Sequence, residues 1–267
     1  MSAISNHLVV TFKWALRDRL LHGVIGSAFL LLLLVPVFSV FSMRQVQELS
    51  ITLSLSAISA IMLVLTLLLS ASSVWRDVER RYTSSVLTLP GSRTSYILGK
   101  FLGISLFLLL CAILLGAASS LVIIISSLRY PSDVPIHWQN IMLSIMADSL
   151  KCILLAAVGV MFSTISTSFF LPFFASLSIY FAGSASQEVF EYVNSELGKT
   201  ISLPVKLLIK WVYYVVPNLS AFNFKVQAIY GLPVLSSGVF YTAAYFLIYT
   251  CILLYVSAWF FSRRELP

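Results

Sequence analysis

Residues 75–100, WRDVERRYTSSVLTLPGSRTSYILGK, form a charged connection between two long apolar runs. Val78, Tyr82 and Val86 recur at helical spacing, charged residues occupy the other faces, and a Pro-Gly pair follows. This pattern predicts a short amphipathic helix over 76–91, which the Pro-Gly pair ends. The residues alone leave two interpretations open: a rigid docking surface for a partner protein, or an ordinary positively charged loop with a surface helix.

The flanking runs belong to a chain of 267 residues that is 59% hydrophobic and only 10% charged, with a mean hydropathy of +0.97. A soluble domain carries roughly a quarter charged residues. A single soluble core cannot bury this apolar excess, so the composition predicts an all-α integral membrane protein in contact with lipid. The net charge of +7 then marks the flanks of membrane spans, and nucleic acid is not an expected partner.

Six apolar stretches are long enough to cross about 30 Å of hydrocarbon, for which about 20 helical residues suffice. These six predicted transmembrane helices are 23–43, 49–75, 96–128, 139–164, 167–186 and 236–262. The sequence STISTS joins the fourth and fifth so tightly that they must form an antiparallel hairpin. Since no repeat or linker divides the chain, residues 1–267 are expected to form a single transmembrane domain.

The N-terminal residues 4–22 precede the first predicted span. Leu8, Phe12, Leu16 and Leu20 recur there at helical spacing beside basic residues. This arrangement is typical of an amphipathic interface helix that lies on a membrane surface. A positively charged flank without that role is the alternative.

The segment 187–235 is the only sizeable region outside the predicted spans. Within it, LPVKLLIKWVYYVVPN (203–218) is apolar and aromatic, but the run that precedes Pro217 is too short to cross a membrane. It is therefore predicted to be a re-entrant or interfacial segment between spans five and six. The basic residues of the short flanks place both termini and the connection 75–100 in the cytoplasm, and 187–235 outside. The expected location is the cytoplasmic (inner) membrane, crossed several times.

No catalytic or metal-binding motif occurs in the sequence. It contains no GxxxxGK[ST] phosphate loop, no nucleophile elbow and no HExxH. Cys111, Cys152 and Cys251 lie inside apolar segments without CxxC spacing, which is typical of small hydrophobic residues. The chain is therefore predicted not to be an enzyme and to hold no metal or cofactor. Its energy must come from an ion gradient or from a partner.

The second predicted span carries small hydroxylated residues at spacings of about three and four. They are Thr52, Ser56, Ser59, Thr66, Ser70 and Ser73. Such residues on one helix face let helices approach closely or line a polar route. They predict a seam at which another helix approaches closely or a polar route passes, and helix packing inside one subunit is an equally weighted alternative.

The fourth predicted span contains Asp148 and Lys151, three residues apart. Charges inside a membrane are costly, so they are usually paired or functional. The spacing predicts an intramembrane charge pair. Its role is open between a salt bridge near the outer interface and a substrate contact.

The connection also resembles a known family, the permeases of ABC-2-type transporters (ABC, ATP-binding cassette). The residues that match the family's segment between spans two and three, in order, are Glu79, Arg80, Thr83, Leu87, Pro90, Arg93, Gly99 and Lys100. FKWALRDRL (12–20) resembles the family's interface helix, and YYVVPNLSAFNFKVQAIYG (213–231) resembles the outer segment of one branch.

The resemblance implies the membrane-spanning permease subunit of an ABC exporter, working as a homodimer. It also implies that spans two and five face the partner subunit and border the transport pathway, which would place the seam of span two at the pathway or at the dimer contact. ATP and Mg would be held by a separate cytoplasmic ATPase. The ATPase-coupling interface would comprise Val78, Glu79, Arg80, Arg81, Tyr82, Val86, Pro90 and Arg93. A non-transporting membrane anchor that passes ATPase work to an envelope assembly machine is the alternative. A secondary carrier is disfavoured because the spans contain few ionisable residues. Lipid, glycan, peptide, drug and ion all stay open as substrates.

Overall fold

A computed structural model describes residues 3–42, 45–79, 93–130, 135–195 and 202–263. Those residues form nine α-helices and no strand. The helices are α1 (Ala3–Arg17), α2 (Arg19–Ser39), α3 (Val46–Glu79), α4 (Arg93–Arg129), α5 (Trp138–Ile165), α6 (Phe170–Asn194), α7 (Leu203–Val215), α8 (Lys225–Tyr230) and α9 (Ser236–Arg263). The described chain is therefore all-α, as the composition and the apolar runs predict.

Among the described residues, five helices are long and apolar enough to cross a membrane: α2, α3 as far as Asp77, α4, α5 and α9. The predicted fifth span, 167–186, falls in α6 and is not one of the five. Serines, a glycine and a polar C-terminal half lower the hydropathy of α6. Five of the six predicted spans thus have a helix of sufficient length and apolarity. The remaining one, the fifth predicted span (167–186), stays a prediction.

Helices α3, α4 and α5 form the centre of the bundle. The main apolar cluster includes Leu65 of α3, Ile104 of α4 and Ala156 of α5, all fully buried. Helix α2 packs on α3 and α4, while α6 and α9 pack on α5. Large apolar side chains on α2 and α9 point away from the bundle, including Leu33 and Ile248. An outer surface of this kind suits contact with lipid tails.

Helices α3 and α5 cross at very short distance. A Cβ atom added to Gly159 would overlap the Ser70 hydroxyl and lie 2.5 Å from Ser70 Cβ. Helices in a membrane gain little from hydrophobic burial against each other, so small residues that allow close packing hold them together. The crossing therefore depends on the absence of a side chain at Gly159.

Helix α1 docks on α4 through two glycines spaced four apart. A Cβ atom at Gly99 would lie 2.5 Å from His7 Cβ, and one at Gly103 would lie 2.7 Å from Thr11 Cβ. Thr11 and Ala15 are the buried residues of α1. The close approach of α1 to α4 thus depends on the absence of side chains at Gly99 and Gly103.

The structure separates the apolar residues of 4–22 that the sequence pattern places on one helix face. Phe12 packs against the core, edge-on to Phe107, whereas Leu16 and Leu20 are exposed. The division has a local cause: Asp18 ends α1 and caps α2, since its carboxylate accepts a hydrogen bond from the Leu20 amide at 2.9 Å. Leu20 therefore belongs to a different helix.

We expect Gly103→Leu to displace α1 from α4, because the new side chain would collide with Thr11 and with the Leu8 carbonyl. Overpacking of this kind costs about 1–3 kcal/mol. The apparent melting temperature of the purified protein and the protease sensitivity of α1 measure the effect. Gly23→Leu is the matched control, because open space surrounds Gly23. Equal behaviour of the two variants would contradict the docking.

At the opposite end of the bundle from residues 79 and 93, the segment 203–231 forms a cap. Helix α7 has no buried residue, so the predicted interfacial run lies on the surface of the protein. The residues that enter the bundle follow it: Leu219 and Phe222 are each 1% exposed. The Leu219 amide donates to the Gly183 carbonyl of α6 at 3.0 Å, which fixes the cap to the bundle.

Candidate functional site

The last turns of α3 are bonded to almost every neighbouring element, and we call these contacts of residues 74–79 the α3 junction. Residues 74–79 directly precede the connection between α3 and α4. Val78 lies in the last turn of α3, Glu79 ends the helix with an exposed side chain, and Arg93 begins α4. The other predicted coupling residues, Arg80, Arg81, Tyr82, Val86 and Pro90, lie outside the described residues.

Arg76 joins α3 to the start of α2. Its guanidinium Nη1 donates to Asp18 Oδ2 at 3.1 Å, and its Cζ lies 4.7 Å from the centre of the Trp14 ring. The other oxygen of Asp18 caps α2. One carboxylate thus fixes both the beginning of α2 and the end of α3. Because Arg76 and Asp18 are both partly shielded from water, their pairing is stronger than that of a fully exposed pair.

Asp77 joins α3 to α4. Its Oδ2 accepts a hydrogen bond from the Tyr96 hydroxyl at 2.7 Å and lies 2.5 Å from Lys100 Nζ. Lys100 also donates to the Ser73 carbonyl at 2.8 Å. The Gly-Lys pair of the family pattern therefore has two structural purposes here. Gly99 admits α1, and Lys100 ties α4 to α3.

The beginning of α4 is also bonded to the end of α9. The Arg93 guanidinium donates to the Ser262 carbonyl at 2.8 Å, and the Tyr96 ring stacks on Phe261 with centres 5.3 Å apart. His7 of α1 approaches the same tyrosine edge-on. Burial lowers the pKa of His7, and the charge of Lys100 lowers it further, so protonation of His7 opposes the docked position of α1.

Ser163 joins α3 to α5 in a way that the sequence did not reveal. Its hydroxyl accepts hydrogen bonds from the Trp75 amide at 3.1 Å and the Val74 amide at 3.3 Å, and it donates to the Ala71 carbonyl at 3.1 Å. Residues 71 and 75 are one α-helical hydrogen-bond step apart, so Ser163 bonds backbone groups at both ends of one such step. The Trp75 indole adds a bond to the Thr167 carbonyl at 3.0 Å.

We expect Ser163→Val to loosen the α3 junction, because three backbone groups of α3 lose a bonding partner in a buried place. A hydrogen bond of this kind contributes about 0.5–1.5 kcal/mol to stability. Thermal unfolding and hydrogen exchange of residues 71–79 measure the loss. Ser149→Ala is the control, because Ser149 is also buried on α5 but, within the part of the chain that the structure describes, bonds only to the Met146 carbonyl of its own helix. Similar losses for both variants would remove the special status of Ser163.

The predicted seam divides into two parts in the structure. Ser59, Thr66, Ser70 and Ser73 are buried inside the protomer, and each donates to a carbonyl of α3 itself. At the other end of the row, Thr52 is half-buried and Ser56 is exposed. Packing within one subunit accounts for the four buried hydroxyls. A role at the pathway or at a dimer contact stays a prediction, and Ser56 is the residue best placed for it.

Asp148 and Lys151 form a salt bridge in α5, with side chains only 6% and 12% exposed. Lys151 Nζ lies 5.8 Å from the centre of the Tyr180 ring of α6, so the lysine stays inside the protein. The second oxygen of Asp148 is buried and has no hydrogen-bond partner among the described residues. Burial of a charge in a membrane protein is tolerated when the charge is paired, and here the partner is adjacent.

The cap brings a third charge, Lys225 of α8, within electrostatic range of this pair. Burial lowers the pKa of Lys225; the charge of Asp148 acts in the opposite direction, and that of Lys151 in the same direction. A salt bridge inside the bundle and the segment that closes it are thus electrostatically coupled. Sequence spacing predicted the pair but gave no sign of Lys225, which is distant along the chain.

These contacts describe a bundle of helices, five of them long and apolar enough to cross a membrane among the described residues, closed by a cap at one end and bonded around the end of α3 at the other. The profile of a protein family described as ABC-2 family transporter protein matches residues 12–266. The chain belongs to this family: it is a multi-pass membrane protein and the permease subunit of an ABC transporter. A comparison with curated proteins gives no match.

Proposed function

We propose that this permease subunit exports its substrate, driven by a separate cytoplasmic ATPase that docks on the connection between α3 and α4. The observation that carries the proposal is the α3 junction. Residues 74–79 are bonded to Asp18, to α4, to α5 and to the α5–α6 turn. A displacement of the connection would therefore move several helices together. A connection without such contacts would absorb the displacement locally.

The division of labour within the docking segment follows from its residue types. Val78, Tyr82 and Val86 supply apolar anchors, and Glu79, Arg80 and Arg81 supply a charged rim. Buried aromatic and apolar anchors carry most of the affinity of such contacts, while rim charges set orientation and rate. ATP and Mg are held by the ATPase, and the coupling residues of the permease only transmit its movement.

A second copy of the permease completes the transporter in this proposal. The bundle leaves Ser56 of α3 exposed, in a helix that is otherwise largely buried. A small exposed hydroxyl on a membrane-crossing helix suits close contact with another helix or a polar pathway. The proposed orientation places both termini and the docking segment in the cytoplasm, with the protein in the cytoplasmic membrane.

The proposal is tested by pairing Tyr82→Ala with Arg80→Ala. Loss of a buried anchor costs on the order of 1 to 3 kcal/mol, which weakens docking by roughly tenfold to a hundredfold. We expect Tyr82→Ala to lose co-purification of the ATPase and stimulation of ATP hydrolysis. Arg80→Ala should show a smaller effect that depends on salt.

Size-exclusion elution checks that both variants remain folded, and Tyr130→Ala, at the other end of α4, is the control for an exposed tyrosine. If Tyr82→Ala binds and stimulates the ATPase as the unmodified chain does, the segment is an ordinary loop and the proposal fails.

A further inference from the structure

A groove lined by tyrosines lies between the cap and α9. We call it the tyrosine groove; its volume is about 390 Å³, and the lining residues that matter are Tyr213, Tyr214, Asn218, Tyr241, Tyr245 and Tyr249. Small-molecule sites have volumes of about 300–1,000 Å³ and combine aromatic walls with a few polar groups. The tyrosine groove meets both conditions, and nothing in the transport mechanism proposed above uses it.

The inner rings of the groove are held in place by hydrogen bonds. The Tyr249 hydroxyl donates to the Val215 carbonyl at 2.6 Å, and the Tyr213 hydroxyl donates to Gln187 Oε1 at 3.1 Å. The Tyr245 hydroxyl accepts from the Asn218 amide at 2.9 Å. These bonds join the cap to α6 and α9 and present the ring faces in fixed positions, which reduces the entropy lost on binding.

Other hydroxyls of the groove are free for a ligand. Tyr214 and Tyr241 are 74% and 70% exposed, and neither hydroxyl has a hydrogen-bond partner among the described residues. The Tyr245 hydroxyl accepts one hydrogen bond, from the Asn218 amide, and donates none to any described residue. A phenolic hydroxyl can donate and accept, so the groove offers fixed aromatic faces with unspent donors and acceptors at their edges.

Among the described residues, the lining of the groove carries no charge that would attract a cationic ligand. Aromatic faces alone would also suit a quaternary ammonium group. However, no acidic residue of the described chain lines the groove, and the helix that provides Tyr213 and Tyr214 also carries Lys206 and Lys210. The lining is uncharged and its nearest charged neighbours along α7 are positive. An uncharged ligand with hydroxyl groups fits this lining best.

A sugar ring has these properties, because its faces present C–H groups that pack on aromatic rings and its rim presents hydroxyls. Exposed apolar side chains of α9, including Phe240, Leu247 and Ile248, lie along the helix that forms one wall. They provide a surface for an alkyl chain. We infer that the tyrosine groove binds the uncharged sugar headgroup of an amphiphile. That this amphiphile is the transported substrate rests on the proposed function, whereas its binding does not.

The test is native mass spectrometry of the isolated chain, without ATPase, in a short-chain polyoxyethylene detergent. Three amphiphiles with the same dodecyl tail are titrated: dodecyl maltoside, dodecylphosphocholine and octaethylene glycol dodecyl ether. We expect the maltoside to bind more tightly than the other two. Tyr241→Ala and Tyr214→Ala should each weaken maltoside binding by about tenfold, the loss that removal of one aromatic contact predicts.

Tyr255→Ala is the control, because Tyr255 is a similarly exposed tyrosine of α9 that does not line the groove. The Tyr241 and Tyr214 side chains are exposed, and neither hydroxyl has a hydrogen-bond partner among the described residues, so their replacement leaves the fold intact. Equal binding of the three amphiphiles, preference for phosphocholine, or an equal effect of Tyr255→Ala would each overturn the inference. Because no ATPase is present in this experiment, a negative binding result does not bear on the docking proposal. Likewise, failure of ATPase docking does not bear on maltoside binding.

Discussion

Gly159→Leu is expected to prevent normal assembly of the helix bundle. The new side chain would occupy the space of Ser70, where even a Cβ atom overlaps the serine hydroxyl. Neither helix can retreat easily, because α3 is bonded to α5 through Ser163 only one helical turn away. Overpacking costs about 1–3 kcal/mol when the surroundings relax, and we expect a loss at or above the upper end here.

The yield of monodisperse protein and its apparent melting temperature measure this loss. Gly26→Leu is the matched control: it adds the same side chain to a glycine in α2 that has open space around it. The account requires Gly26→Leu to behave almost like the unmodified chain. A Gly159→Leu protein that is as stable as the control would show that α3 and α5 do not cross as closely as described.

Asp148→Asn is expected to be the most destabilising loss of a single charge. It leaves the Lys151 ammonium buried without its counter-ion, which costs about 3–5 kcal/mol. Lys151→Met should be similarly damaging, because it leaves the Asp148 carboxylate unpaired. The double variant Asp148→Asn with Lys151→Met removes both charges, so it should be more stable than either single variant.

Unfolding measured for all four members of this cycle separates a paired charge from two independent ones. Glu191→Gln removes a charge from an exposed position of α6 and should change stability by less than about 0.5 kcal/mol. If the double variant loses the sum of the two single losses, the two side chains do not stabilise each other, and the buried salt bridge is not the reason for their presence.

The sequence predicts the positions of the long helices well, because apolar runs and charged interruptions follow directly from the membrane environment. It predicts their ends less well. The apolar run of the second span stops near Trp75, yet α3 continues to Glu79. Arg76 and Asp77 can remain helical there because Asp18 and Lys100 neutralise them. Those partners are far away in sequence, so no local pattern reveals them.

Ser163 illustrates the same difficulty at a single residue. Within STISTS, the serines and threonines suggest caps for a tight turn, and Ser166 does bond within that turn. Ser163 instead bonds backbone groups of α3. The available signal was the spacing of Gly159 and Ser163, two small residues one turn apart on a membrane helix. The small residues of α3 were predicted as a seam, but no local pattern pairs Ser70 with Gly159.

The sequence predicts the cap as a short apolar segment. It does not show which residues of the cap enter the bundle. Helix α7 has the strongest apolar pattern of the segment, but it stays on the surface. Leu219 and Phe222 are buried instead, because Asn218 and Leu219 bond to α6 and α9. Burial here is decided by specific hydrogen bonds to the bundle, which composition cannot show.

The central claim, that the segment between α3 and α4 receives the ATPase, is tested most directly by site-specific photo-crosslinking. A benzophenone amino acid replaces Tyr82 or Val86 and, as a control at the other end of α4, Tyr130. We expect a crosslinked product of permease and ATPase from positions 82 and 86 and none from position 130. An ATPase that co-purifies with the permease yet forms no crosslink from 82 or 86 would contradict it.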